Sequence, residues 1–381
     1  MPWECRTVKD QRKAFAAEAS KTANFSALCR KYGITRKTGY KWLERSRQGC
    51  DFDDRSRRPR SSPRQTPPET EQKIVALRGE NPGWGAATIH RVLENQGTPE
   101  LPCIRTVNNV LNRYHCISQG ESLKRQPFQR FEKEACNQLW QTDFKGEFQT
   151  ADQKYCYPLD ILDDHSRFAI RISATDTTAN VVIPSFQEAF REFGLPDAIL
   201  SDNGAQFAGF RHGYTQFEKW LMCLDILPIH GRVRHPQTQG KIERFHRSMK
   251  DELLRHTTFA NAVEANAALQ QWREKYNTVR PHEALNMRCP AEVYTPSARQ
   301  YPETISNWEY SGAYHVIKVN SWGYVRYDRF QIYLSETMID EYIEFRPAPG
   351  GETFFACFRN YKIAEFRTED GKLDNRRISK L

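Results

Sequence analysis

No apolar run in this chain approaches the ~20 residues that a membrane-spanning helix needs. The opening MPWECRTVKDQRK lacks the apolar stretch of a secretory signal. Ten cysteines are present, yet none is spaced C-x-x-C and none groups with histidine at zinc-finger spacing. Scattered through helical and strand-like runs, they read as reduced core residues of an intracellular protein. These absences argue against a helical membrane protein, a disulfide-stapled secreted module and a zinc finger.

The chain does have size, aromatic content and an uneven charge. Its 381 residues exceed one ordinary domain, and 22 Phe, 16 Tyr and 8 Trp suffice for several cores. The net charge is +9, and the basic excess lies in the N-terminal third. Charge concentrated in this way reads as a nucleic-acid footprint, so a cytoplasmic, nucleoid-associated protein with no membrane partner is expected.

Residues 1–52 read as a helix-turn-helix domain. NFSALCRKYG places Phe25, Leu28 and Cys29 on one face and stops at Gly33. Thr35 then caps RKTGYKWLERSR. Arg36, Lys37, Thr38 and Lys41 are predicted to face a DNA major groove, with Trp42 and Leu43 packed inward. Residues 53–68 form a basic Pro/Arg linker in which Arg55, Arg57, Arg58 and Arg60 suit a minor groove. Residues 69–116 repeat the helical theme. Arg105, Thr106, Asn108 and Asn109 are exposed on a second recognition helix, and Val107, Val110 and Leu111 are buried. A polar linker, 117–134, leads to residues 135–297, where three strand-like runs precede an α-β-α-β-α order built around a mixed sheet. Short β runs over 298–381 read as a small all-β, SH3-like barrel with a frayed tail, TEDGKLDNRRISKL.

Three carboxylates stand out. Asp143 in LWQTDF lies within a strand pattern, where aspartate is unfavourable without a compensating partner. Asp202 in ILSDNG ends an apolar strand, a favoured place for a ligand-binding carboxylate. Glu243 lies one turn into a helix opened by Gly240, beside the apolar stripe Ile242, Phe245, Met249 and Leu253. Converged by folding, the three are an all-oxygen site for Mg²⁺ or Mn²⁺, and two ions are expected for phosphoryl transfer. Arg247 and Lys250 stand on the Glu243 side of the helix, placed for DNA phosphates. The pair Asp163-Asp164 is a rival, assigned to the turn between the second and third strands.

WQTDF, LDDHSR, SDNGAQF and HPQTQGKIERFHRSMK, followed by YNTVRPHEAL and CPAEVY, resemble the catalytic core of insertion-sequence DDE transposases related to retroviral integrases. The resemblance covers residues 136–296. It implies a multidomain protein with an α/β RNase H-like core and Asp143, Asp202 and Glu243 as catalytic metal ligands. Arg247 and Lys250 match positions that contact transposon or viral ends. The implied activity is binding of terminal inverted repeats, hydrolysis of the 3′-end phosphodiester and joining of the 3′-OH to target DNA. At least a dimer is expected on paired ends. Two departures stand: 40 residues separate Asp202 from Glu243, and helix-turn-helix units replace the retroviral zinc domain. A regulator without catalysis and a nuclease without strand transfer are the alternatives.

Overall fold

Thr7 opens the first described helix with a reciprocal cap. Its hydroxyl accepts from the Asp10 N–H, and the Asp10 carboxylate accepts from Thr7. The computed structural model describes residues 7–54, 65–117, 132–175, 180–209, 213–231 and 240–381. The chain divides into two units, Met1–Gln65 and Thr66–Leu381.

The first unit holds α1 (Val8–Ala19), α2 (Phe25–Lys31) and α3 (Arg36–Arg47). Gly33, at φ 62°, turns the chain between α2 and α3, and the Thr35 side chain accepts from the Thr38 N–H. Phe15, Leu28, Cys29, Trp42 and Leu43 form the small core. Arg12 stacks on the Trp42 ring at 4.1 Å.

The second unit begins with α4 (Pro68–Glu80), α5 (Ala86–Asn95) and α6 (Ile104–Arg113), packed around Ile74, Trp84, Ile89 and Val107. Next come β1 (Trp140–Phe144), β2 (Phe148–Gln149), β3 (Tyr155–Asp163) and β4 (Ala169–Thr175). Then α7 (Val182–Phe193), β5 (Ala198–Ser201), α8 (Gln216–Cys223) and β6 (Leu227–His230) follow. The segment closes with α9 (Gly240–Met249), a π-helical turn Lys250–Leu254, and α10 (Ala262–Thr278). The sheet runs β4-β3-β1-β5-β6 with β2 on β3. The β4/β3 and β3/β1 pairs are antiparallel, and the β1/β5 and β5/β6 pairs are parallel. Strand alternation sends Trp140, Leu159 and Ile161 into a core with α7 and α8. It sends Leu162 the opposite way, against Phe245, Met249, Leu269 and Trp272 of α9 and α10. The predicted strand meander followed by α-β-α-β-α is the observed order. Gly194 ends α7 at φ 77°, where a side chain would strike the Ser297 and Arg299 carbonyls at 2.7 Å.

The C-terminal part departs from expectation. It holds β7 (His315–Lys318), β8 (Tyr324–Tyr327), β9 (Phe330–Tyr333), β10 (Tyr342–Pro347), β11 (Thr353–Phe358) and β12 (Tyr361–Arg367). Two further strands, β13 (Leu373–Asn375) and β14 (Ser379–Lys380), complete it. Among the described residues the strand pairings run β13-β12-β11-β10-β7 with β14 also on β12, and β8-β9 form a separate ribbon. The sheet is open, not the closed barrel expected. β8 spends its ladder on β9, with Tyr324 opposite Tyr333 and Tyr327 opposite Phe330, and β7 pairs with β10, so the two ribbons do not close on each other. The tail is not frayed throughout: β13 and β14 satisfy backbone groups along β12 that would otherwise form an unpaired edge.

Candidate active site

β1 and β5 are neighbours in the parallel part of the sheet, with Gln141 opposite Leu200. Two residues further along the chain stand Asp143, still in β1, and Asp202, just past the end of β5. Adjacent strands lie about 4.8 Å apart, so this register sets the two aspartates side by side at the sheet's C-terminal edge. Burial pushes the Asp143 carboxyl up to about 6; His246 draws it down, while the Asp202 and Asp160 charges raise it. Asp202 follows the last residue of β5, and its Oδ1 accepts from the Gly204 N–H at 2.9 Å, an Asx turn.

Glu243 lies in the first turn of α9, and its side chain is exposed. Among the described residues no three His, Cys, Asp or Glu side chains gather as a metal-holding group. What the fold does assemble is a pair of hard-oxygen donors short of positive charge, one of them desolvated. That donor chemistry fits Mg²⁺ or Mn²⁺.

A polar layer that sequence reasoning missed joins α9 to the sheet. Asp160 faces Asp143 across β1/β3 and is fully buried. His246 Nε2 lies 2.8 Å from Asp160 Oδ2, and His246 Nδ1 lies 3.9 Å from Asp143 Oδ2. The short contact is not aligned as a hydrogen bond, leaving both Asp160 oxygens without a hydrogen-bond donor. Burial raises the Asp160 carboxyl above its ordinary range, and His246 draws it back. On the same helix, Lys241 donates to Asp164 Oδ2 at 2.6 Å and to the Asp164 carbonyl at 3.0 Å. Asp164 also accepts from Gln141 and from the Lys133 N–H. Asp163 serves the turn, accepting from the Ser166 N–H and hydroxyl and from the Asn137 N–H. The overlooked signals were an aspartate inside the apolar run YCYPLDILDD and a histidine within the apolar stripe of α9.

Asp202 has its own support. Ser201 Oγ lies 3.2 Å from His230 Nδ1, and His230 Nε2 lies 2.8 Å from the buried Glu218. Glu218 also accepts from the Gly209 and Thr215 N–H groups and the Thr215 hydroxyl.

Arg36, Lys37 and Lys41 are exposed on α3, Thr38 is half-buried, and the Lys41 ammonium lies 5.0 Å from the Trp42 ring. Arg105, Asn108 and Asn109 are exposed on α6 and Thr106 is half-buried. Arg247 and Lys250 are exposed on the Glu243 helix and the π turn after it. Arg55, Arg57, Arg58 and Arg60, and the loop 232–239 before Gly240, lie outside the described residues. No helix among the described residues is long and apolar enough to cross a membrane.

The Integrase core domain family matches residues 133–236 and again 224–290. A Helix-turn-helix domain matches 11–60, and a Homeodomain-like domain matches 38–111. The chain is 24% identical over 226 residues to an uncharacterized protein of insertion element IS407 from Burkholderia multivorans, covering 58% of this chain and 78% of that protein. It is 26% identical over 157 residues to an uncharacterized protein of insertion element IS476 from Xanthomonas euvesicatoria, covering 41% of this chain and 44% of that protein. A solved HTLV-2 integrase catalytic core domain in complex with magnesium aligns at TM-score 0.34 and 17% identity, over 42% of this chain and 97% of that one. The integrase core matches span β1 through α10, the segment that carries all three carboxylates, and with the insertion-element relatives they make this chain a member of the insertion-sequence DDE transposases of the integrase core superfamily.

Proposed function

We propose that this protein is a DNA transposase that binds the terminal inverted repeats of its element, hydrolyses the phosphodiester at the 3′ end and joins the freed 3′-OH to target DNA. The observation that carries the reading is the parallel β1/β5 register, which brings Asp143 in β1 and Asp202 just past β5 to the same end of two adjacent strands, with Asp143 pushed up to about 6 chiefly by burial. Asp143, Asp202 and Glu243 would hold two Mg²⁺ or Mn²⁺ ions. Such ions supply Lewis acidity to the scissile phosphate and lower the pKa of the attacking hydroxyl.

The chain's own residues divide the remaining work. Arg247 and Lys250 neutralise phosphates beside Glu243. Arg36, Lys37, Thr38 and Lys41 on α3, and Arg105, Thr106, Asn108 and Asn109 on α6, read the terminal repeat. Arg55, Arg57, Arg58 and Arg60 track the backbone between the two readers. Joining two ends to one target requires at least a dimer. No protein nucleophile is needed, since water attacks the phosphodiester in the cleavage step and releases the 3′-OH, which in the joining step attacks a target phosphodiester and displaces a target 3′-OH.

A gel assay with Mg²⁺, a labelled end duplex and a target plasmid tests the reading. Wild type is expected to give joined products, and Glu243→Gln to bind ends while losing cleavage and joining. Cleaved products alone would make the protein a nuclease, and bound DNA alone a regulator. Joining by Glu243→Gln at the wild-type rate would overturn the assignment.

A further inference from the structure

Glu243 is exposed, so contacts of its own carboxylate do not set its place in the fold. Its helix does, and the helix is fixed at two polar points that bracket it. Lys241, two residues before, reaches over to Asp164 just beyond the end of β3, with the Asp164 side chain fully buried. His246, three residues after, reaches Asp160 within β3, also fully buried. Both acids belong to the polar layer between the sheet and α9. Apolar packing by Ile242, Phe245 and Met249 is non-directional and tolerates sliding or rotation of a helix. A buried ion pair and a close polar contact restrict both, because a shift would strand the Asp164 carboxylate away from Lys241 and draw the His246 ring off Asp160. His246 adds a third constraint, approaching Asp143 at 3.9 Å from the same ring.

We propose that Lys241 and His246 are positioning residues that set the register of α9 on the sheet and so hold Glu243 where it can share a divalent ion with Asp143. The proposal deepens the transposase reading and rests on it. Groups that orient metal-binding side chains from behind change metal affinity by about 10–100-fold when removed.

The test uses the full-length chain and Mn²⁺ alone as the probe, with binding followed by electron paramagnetic resonance of the free ion. His246→Ala and Lys241→Ala are expected to weaken Mn²⁺ binding by about 10-fold or more while leaving the Kd for the end duplex unchanged. His246→Gln, whose amide reaches about as far as Nε2 and so keeps a polar group beside Asp160, and Lys241→Arg are expected to return Mn²⁺ affinity most of the way to wild type. A purely structural role predicts lowered melting temperature with unaltered Mn²⁺ affinity, and that result would overturn the proposal. Should His246→Ala not fold, Lys241→Ala carries the test. Asp143→Asn separates the two levels. Lost Mn²⁺ binding in Asp143→Asn with wild-type binding in both alanine variants refutes the positioning role alone. Unchanged binding in Asp143→Asn removes the parent reading and this one together.

Discussion

Gly83 lies directly against Glu252: a Cβ at position 83 would fall 2.7 Å from Glu252 Cγ. Glu252 cannot yield, because its carboxylate accepts from Trp272 Nε1 at 3.1 Å and from Arg280 Nε at 2.8 Å. Trp84, the next residue, lies 5.4 Å from the Lys275 ammonium on α10. The loop between α4 and α5 is thus seated on the π turn that continues the Glu243 helix. Gly83→Ala is expected to destabilise the protein by about 1–3 kcal/mol through overpacking. Glu252→Ala, which leaves the mostly buried Arg280 unpaired, is expected to cost about 3 kcal/mol. The double variant is expected to cost less than the sum, since removing Glu252 relieves the clash. Urea denaturation of the four proteins measures this, and strict additivity would refute the contact.

Asp143 ties stability to pH in an unusual direction. Its native pKa of about 6 lies above the ordinary 3.8, so between those values the native state holds a proton that the unfolded chain gives up. The contribution of Asp143 therefore falls as pH rises through this window and is least above about 6. Asp143→Asn is expected to stabilise the metal-free protein at pH 7, by about 3 kcal/mol at most, and so to raise its melting temperature, and to differ little near pH 4. Mn²⁺ is expected to raise the melting temperature of wild type but not of Asp143→Asn. Thermal unfolding of protein stripped of metal and then freed of chelator, with and without added Mn²⁺, is the measurement.

His282 works in the opposite sense. Burial, with the Arg280 charge, lowers its pKa to about 3. The native state keeps the ring neutral while the unfolded chain protonates near 6.5, so this stability is present above 6.5 and is lost as pH falls toward 3. The expected loss is about 1.4 kcal/mol for each pH unit below 6.5. His282→Gln is expected to flatten the slope of stability between pH 7 and pH 5. An identical slope in the variant and wild type would contradict a ring held neutral in the native state.

Glu218 supports the Asp202 strand through His230 and Ser201 and caps α8 as well. Glu218→Ala leaves the Thr215 and Gly209 N–H groups without their acceptor and is expected to cost about 3 kcal/mol. Glu218→Gln keeps an acceptor oxygen and is expected to lose less than half as much. Equal losses in the two variants, read by chemical denaturation, would show that charge alone matters there.

Much of this architecture was legible in the chain itself. Thr35 as a cap, Gly33 and Gly194 as stops, and the inward-facing Trp42, Leu43, Val107, Val110 and Leu111 all follow from backbone sterics and short-range periodicity. So does the placement of Asp143 within one strand and Asp202 at the end of another. Only tertiary structure could decide that Asp160 and Asp164 hold His246 and Lys241, that Glu252 meets Gly83, and that β12 takes the tail as β13 and β14. It also decided that the C-terminal sheet stays open. Those outcomes join residues far apart in the chain, where local propensity carries no information. They follow from packing helices onto the central sheet and from the cost of leaving buried polar groups and strand edges without partners.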